Sequence, residues 1–173
     1  MKGFGEKHKT HHEKKISNDN KIIKERIINK AFNLHSQGNI SEAKKYYENF
    51  IVQGFLDHRV FANYGMILIN LGELKKAENY TRKAIEINPN YAMGYSNLGN
   101  IIKDLGKTKD ALNSFIKVIE INPQYVYTYN ARTELLKYAD PSQFENTKLE
   151  KILNLLLEKN DVNHRELFRA FVI

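Results

Sequence analysis

The sequence predicts an all-α solenoid, a stack of helix–turn–helix units, and three observations carry that expectation. Gly38, Gly72 and Gly106 lie 34 residues apart. Ala43, Ala77 and Ala111 follow them at a constant offset. Around these markers apolar residues recur three and four apart, the spacing of one helix face. A fixed period of this size means one supersecondary unit copied along the chain, each copy burying its apolar face on its neighbours.

The chain opens on a basic head. Residues 1–26 hold Lys2, Lys7, Lys9, Lys14, Lys15, Lys21, Lys24 and Arg26 against Glu6, Glu13, Asp19 and Glu25, so over half of the +7 net charge sits there. Such a segment buries too little apolar surface to offset its ordering entropy, and disorder is expected over residues 1–20. A solubilising tail and a weak contact with nucleic acid or an acidic membrane surface are both compatible with that composition. His8, His11 and His12 fall in the same head, but a floppy chain holds a metal only loosely, and no metal or cofactor is expected.

The unit itself is clearest in its third copy, residues 92–125. Tyr95, Leu98, Gly99 and Ile102 form one helical stripe, Gly106 turns the chain, and Ala111, Phe115 and Val118 form a second stripe. Asn122-Pro123 stops the second helix, because proline disfavours a helical residue before it. Residues 58–91 repeat the pattern with Phe61, Tyr64, Gly65, Leu68, Gly72, Ala77, Ala84, Asn88 and Pro89. Gly65, Gly99, Ala77 and Ala111 are expected where neighbouring helices approach closely.

This pattern resembles the tetratricopeptide repeat, with its aromatic–Leu–Gly–aromatic first helix and Ala–aromatic–Ala–Pro second helix. Residues 24–57 fit less fully: Ala31, Leu34, Gly38, Ala43, Tyr47 and Phe50 match, while Phe55 stands in place of the proline. Residues 126–139 resemble a fourth first helix with Tyr129 and Leu136 in place, but Arg132 and Thr133 depart from the Leu–Gly pair. The repeat domain is thus expected over residues 21–139. The resemblance implies a right-handed superhelical cradle, with first helices on the concave face and second helices on the convex back. Residues 140–173 are expected to form capping helices after the turn at Asp140-Pro141-Ser142, with Leu149, Ile152, Leu153, Leu156 and Leu157 as an apolar face. The apolar ending Phe168 to Ile173 is the expectation of a truncated linker. From Leu135 onward the chain is similar to linkers of bacterial proteins in which these repeats precede a sulfotransferase domain.

Composition narrows the function. The chain of 173 residues has no cysteine, which excludes disulfides and thiolate metal sites. No apolar run approaches the ~18 residues a spanning helix needs, and no apolar stretch follows the N-terminal charges as in a secretory signal. A cytoplasmic protein without a membrane span is the simplest expectation. Gly106-Lys107-Thr108 imitates the end of a phosphate-binding loop, but Ile101 stands where that motif requires glycine. His35, His58 and His164 fall in separate segments, with no base–nucleophile spacing. No catalysis and no small-molecule substrate are expected.

With Ala92 at position 1, the resemblance implies a groove lined by positions 2, 5, 6, 9, 12 and 13. Position 6 holds Asn29, Asn63 and Asn97, and then Ala131. Asparagine is an indifferent helix former, yet its amide can pair with both the C=O and the N–H of an extended peptide. The series is similar to the asparagine ladder of O-linked N-acetylglucosamine transferase, and Asn97-Leu98-Gly99-Asn100 resembles that family's repeats. The same amides can equally bond neighbouring helices as scaffold, and the chain is rich in asparagine throughout. Around them lie Arg59, Ala62, Met66, Ile69 and Asn70 in one repeat, and Met93, Ser96, Asn100, Lys103 and Asp104 in the next. The flanking units add Glu25, Ile28, Phe32, His35 and Ser36 before, and Tyr127, Asn130, Glu134, Lys137 and Tyr138 after. Their charges cancel, so nucleic acid is an unlikely ligand for the groove. The carboxylate clamp of chaperone-binding repeat domains is absent: its places hold Ile28, Phe32, Met93 and Asn97, or one repeat on, Ala62, Met66, Tyr127 and Ala131. The sequence therefore predicts an adaptor that holds an extended polypeptide of unnamed identity. The other expectation is the N-terminal substrate-recognition part of a sulfo- or glycosyltransferase.

Overall fold

The computed structural model describes residues 11–122 and Ala131. All elements among them are helices. The chain divides into two compact units, Met1–Leu56 and Asp57–Ile173.

In the first unit α1 (His11–Ser36) packs on α2 (Ile40–Val52). Ile27, Ile28 and Ala31 of α1 and Ala43, Tyr47 and Phe50 of α2 are all buried, the three-and-four spacing made into a core. Gly38 turns the chain at φ 77°. Two orphan carbonyls of α1 are satisfied there, Asn39 N–H donating to Leu34 O at 2.9 Å and Gly38 N–H to His35 O at 3.0 Å. The same device closes α2 where the repeat lacks its proline: Gly54 has φ 72°, and Phe55 N–H donates to Phe50 O at 3.3 Å. Phe55 then packs its ring 5.4 Å from that of Phe50. Lys24 reaches across to the Leu56 carbonyl at 2.7 Å.

The first helix, α1, begins at His11, inside the basic head. Neither glycine nor proline occurs between His11 and Ser36, so nothing breaks a helix once its packed part has nucleated it. Each further residue then adds a backbone bond at little cost. Residues 1–10 lie outside the described residues.

The second unit contains α3 (His58–Asn70), α4 (Leu74–Ile87), α5 (Ala92–Asp104) and α6 (Thr108–Ile121). The pairs α3/α4 and α5/α6 form the tight hairpins, α4 packs on α5, and the two first helices α3 and α5 also touch. Gly72 and Gly106 turn both hairpins at φ 74° and 78°. Asn88 and Asn122 are extended, as residues before proline must be, and they end α4 and α6. The small residues lie at close approaches: a Cβ on Gly65 would meet Thr81 Oγ1 at 2.7 Å, and one on Gly99 would meet the Phe115 ring at 2.5 Å. Ala77 and Ala111 are buried. Leu98, Ile102, Leu112, Phe115, Ile116 and Ile119 form the α5/α6 core, joined by Ala131.

One repeat is packed differently from its neighbours. Thr81 holds the place that Tyr47 and Phe115 hold in the other copies, and it is fully buried. The aromatic bulk moves one residue back to Tyr80, which stacks on Phe61 at 6.1 Å and meets Tyr64 edge-on at 4.8 Å. The expected fourth first helix and the capping helices lie, Ala131 apart, outside the described residues.

Candidate functional site

The candidate residues fall on both units. In the second, α3 presents Arg59, Asn63, Met66 and Asn70 at steps of four, three and four, which is one helical stripe. On α5 the same stripe is Met93, Asn97, Asn100 and Asp104. α3 and α5 touch, so the two stripes lie on neighbouring helices. Met66 is 39 % exposed, Asn70 and Asn100 are exposed, and Asn63, Met93 and Asn97 are half-buried.

Position 5 of the repeat does not line this face. Ala62 and Ser96 are buried, and so is Ile28 in the first unit. One residue further round the helix, position 5 turns from solvent toward the helix packing, which explains the small residues in the second unit. The remaining face is therefore narrower and more polar than the sequence predicts.

The polar groups differ in what they already hold. Arg59 is not a waiting cation. Its Nε and Nη2 donate to the Asp57 carboxylate at 3.0 and 2.8 Å, and its backbone N–H donates to the same carboxylate at 2.9 Å. Asp57 is thereby the N-cap of α3. Burial pushes the Asp57 carboxyl up, but these bonds and the guanidinium charge outweigh it and hold the group below its ordinary value. Lys103 is half-buried in the last turn of α5, where its charge suits the helix dipole. Asn97 is the exception among the amides: its Nδ2 is buried and has no hydrogen-bond partner. A buried amide donor left unmade costs about 1–3 kcal/mol. No sequence signal distinguishes Asn97 from Asn63 in this respect.

In the first unit Asn29 is exposed and lines a cleft of about 930 Å³ with Ile22, Arg26, Ile27, Lys30, Asn33 and Tyr46. His35, expected in the groove, is half-buried, and its Nδ1 is bonded to the Tyr47 hydroxyl at 2.9 Å. Burial lowers its pKa. Asn130 and Glu134 lie outside the described residues, as do Tyr127, Lys137 and Tyr138. None of the described helices is long and apolar enough to cross a membrane. Among the described residues no group of three or more His, Asp or Glu side chains is placed to hold a metal ion.

Tetratricopeptide-repeat family models match residues 58–91 and 80–113. No curated protein matches the chain. Among solved structures, the first tetratricopeptide domain of Spaghetti (RPAP3), bound to an HSP90 peptide, is similar at 21% identity and a TM-score of 0.60, over 68% of this chain and 94% of that one. PcrH in complex with the chaperone-binding region of PopB is similar at 17% identity and 0.59, over 65% and 94%. The Thermobaculum terrenum O-GlcNAc transferase gives 18% identity and 0.61, over 69% of this chain but 24% of that one. At these identities the likeness concerns fold. Residues 58–113 thus match the tetratricopeptide repeat in sequence, and the helix pairs of the chain share the fold of solved domains of that kind.

Proposed function

We propose that the α3/α5 face holds an extended polypeptide segment, and that the protein is a non-catalytic adaptor acting in the cytoplasm. The observation that carries this reading is the Asn97 amide nitrogen, buried and without a partner on a face otherwise lined by amides and methionine. A main-chain carbonyl laid along α5 would satisfy it once rotation of the half-buried Asn97 side chain brings the amide to the surface. Asn63 repeats the amide one unit earlier, and Met66 and Met93 offer adaptable apolar contact to the side chains of such a segment. Arg59 is engaged by Asp57, so the face holds little free positive charge there, and the ligand it suits is uncharged along its main chain rather than acidic.

The similar structures support a role in protein interaction, since the complexes of RPAP3 and PcrH contain a peptide and a partner segment. The test is capture from native lysate by the wild type and by Asn63→Ala/Asn97→Ala, with identification and resynthesis of the bound segment. Two main-chain bonds contribute about 0.5–1.5 kcal/mol each, so the double variant should bind the segment roughly tenfold more weakly. Equal affinity of the two proteins for that segment would remove the amides from the binding site.

A further inference from the structure

The first unit carries a different surface that the α3/α5 reading does not use. Its cleft of about 930 Å³ has an apolar floor, Ile22, Ile27 and Tyr46, beside which stand Arg26 and Lys30. Ile22 is 58 % exposed and Ile23 beside it 44 %, so two adjacent aliphatic side chains are open to solvent. Arg26 and Lys30 are exposed, are one helical turn apart, and make no ion pair among the described residues. Their Cβ atoms are thus separated by about 6 Å along α1. Asn29 and Asn33 add amides between and beside the two cations.

Charge decides what this surface takes. The chain's own residues 1–20 are basic, with Lys2, Lys7, Lys9, Lys14 and Lys15 against Glu6, Glu13 and Asp19, so Arg26 and Lys30 repel them. A second copy docked face to face would set the same two cations against their equivalents. Nucleic acid would leave the isoleucines on its phosphates unserved. The remaining chemistry is an apolar stripe flanked by carboxylates.

We propose that this cleft docks an acidic amphipathic helix of a partner protein, with leucine-like side chains on Ile22, Ile27 and Tyr46 and two carboxylates one turn apart on Arg26 and Lys30. Such a helix matches the α1 spacing turn for turn. The apolar contact supplies affinity, and the charge pairs fix orientation and on-rate.

The test uses the full chain and a fluorescein-labelled helical peptide of designed sequence, leucines on one stripe and glutamates one turn apart along its edge. Anisotropy should show saturable binding. Arg26→Glu/Lys30→Glu should weaken it by about tenfold or more while leaving the circular dichroism unchanged, since both side chains are exposed. That variant should in turn prefer a peptide whose glutamates are replaced by lysine. No saturable binding, binding indifferent to the charge reversal, or binding of a duplex oligonucleotide in preference to the peptide would overturn the proposal. Peptide binding lost in Asn63→Ala/Asn97→Ala but kept in the charge-reversed variant would also overturn it, assigning the helix to the α3/α5 face instead.

Discussion

Gly65 of α3 and Thr81 of α4 meet with no room between them, since a Cβ on Gly65 would stand 2.7 Å from the Thr81 hydroxyl oxygen. The equivalent contact in the next hairpin is tighter, since a Cβ on Gly99 would stand 2.5 Å from the buried Phe115 ring. Alanine in a helix interior is favoured over glycine by about 1 kcal/mol, whereas overpacking a core costs about 1–3 kcal/mol. Crowding therefore decides the sign where the neighbour cannot yield. Gly99→Ala should lower stability by about 2 kcal/mol in urea unfolding, and Gly65→Ala by about 1 kcal/mol or less, because one hydroxyl yields more easily than a ring. A more stable Gly99→Ala would mean that Phe115 has space to move.

Thr81 offers a second test of the same contact. Its hydroxyl oxygen is buried and has no partner. Thr81→Val keeps the shape and removes the unsatisfied atom, so it should be neutral or stabilising by up to about 1 kcal/mol. A marked loss on thermal unfolding would show that the hydroxyl is hydrogen-bonded after all.

His35 should make the first unit acid-sensitive. Burial lowers its folded pKa below the ordinary 6.5, so the unfolded chain takes up a proton first as pH falls. The contribution to stability is whole above pH 6.5 and is lost on acidification between that value and the lower folded one. Denaturant midpoints compared at pH 7.5 and 5 should fall with pH in the wild type and fall less in His35→Asn. Equal slopes would place the sensitivity elsewhere. Asp57 adds a separate loss further down: held low by Arg59 despite burial, it stabilises above its ordinary 3.8 and gives that up as pH drops below it.

The Asp57 cap has a direct check. Asp57→Ala removes the only side-chain cap bond described at a helix start here and breaks the ion pair with Arg59, so it should cost about 1 kcal/mol. Arg59→Ala should cost less, because the backbone N–H bond to Asp57 survives. The reverse order in thermal melts would make the guanidinium pair, and not the cap, the stabilising element.

Asn97 should separate stability from binding. In the free protein its buried nitrogen is unsatisfied, so Asn97→Ala should leave stability unchanged or raise it slightly, while weakening capture of the proposed ligand. Lost stability with unaltered binding would make Asn97 scaffold.

Much of this fold was legible because its logic is periodic. Gly38, Gly72 and Gly106 announce the turns, and all three have positive φ. Asn88 and Asn122 before prolines announce the ends of α4 and α6. What escaped is what the period does not encode. Gly54 replaces a missing proline from a different place in the unit, and Tyr80 carries bulk that the pattern assigns to position 81. In the candidate site, spacing puts Asn63 with Met66 and Asn97 with Asn100 on single helix stripes, whereas position 5, expected to line the groove, is buried. Spacing also could not tell that one amide nitrogen is buried and unpaired, since that depends on a few ångströms of packing.

The turn glycines also bear on how such a chain can change length. Gly72 and Gly106 close their hairpins with the same pair of backbone bonds, Gly72 N–H to Ile69 O and Glu73 N–H to Leu68 O in one, Gly106 N–H to Lys103 O and Lys107 N–H to Ile102 O in the other. A gene rearrangement that joins one turn to its equal, dropping or doubling the 34 residues between them, therefore splices like to like. Recombination can lengthen or shorten this protein in whole increments without inventing a new junction.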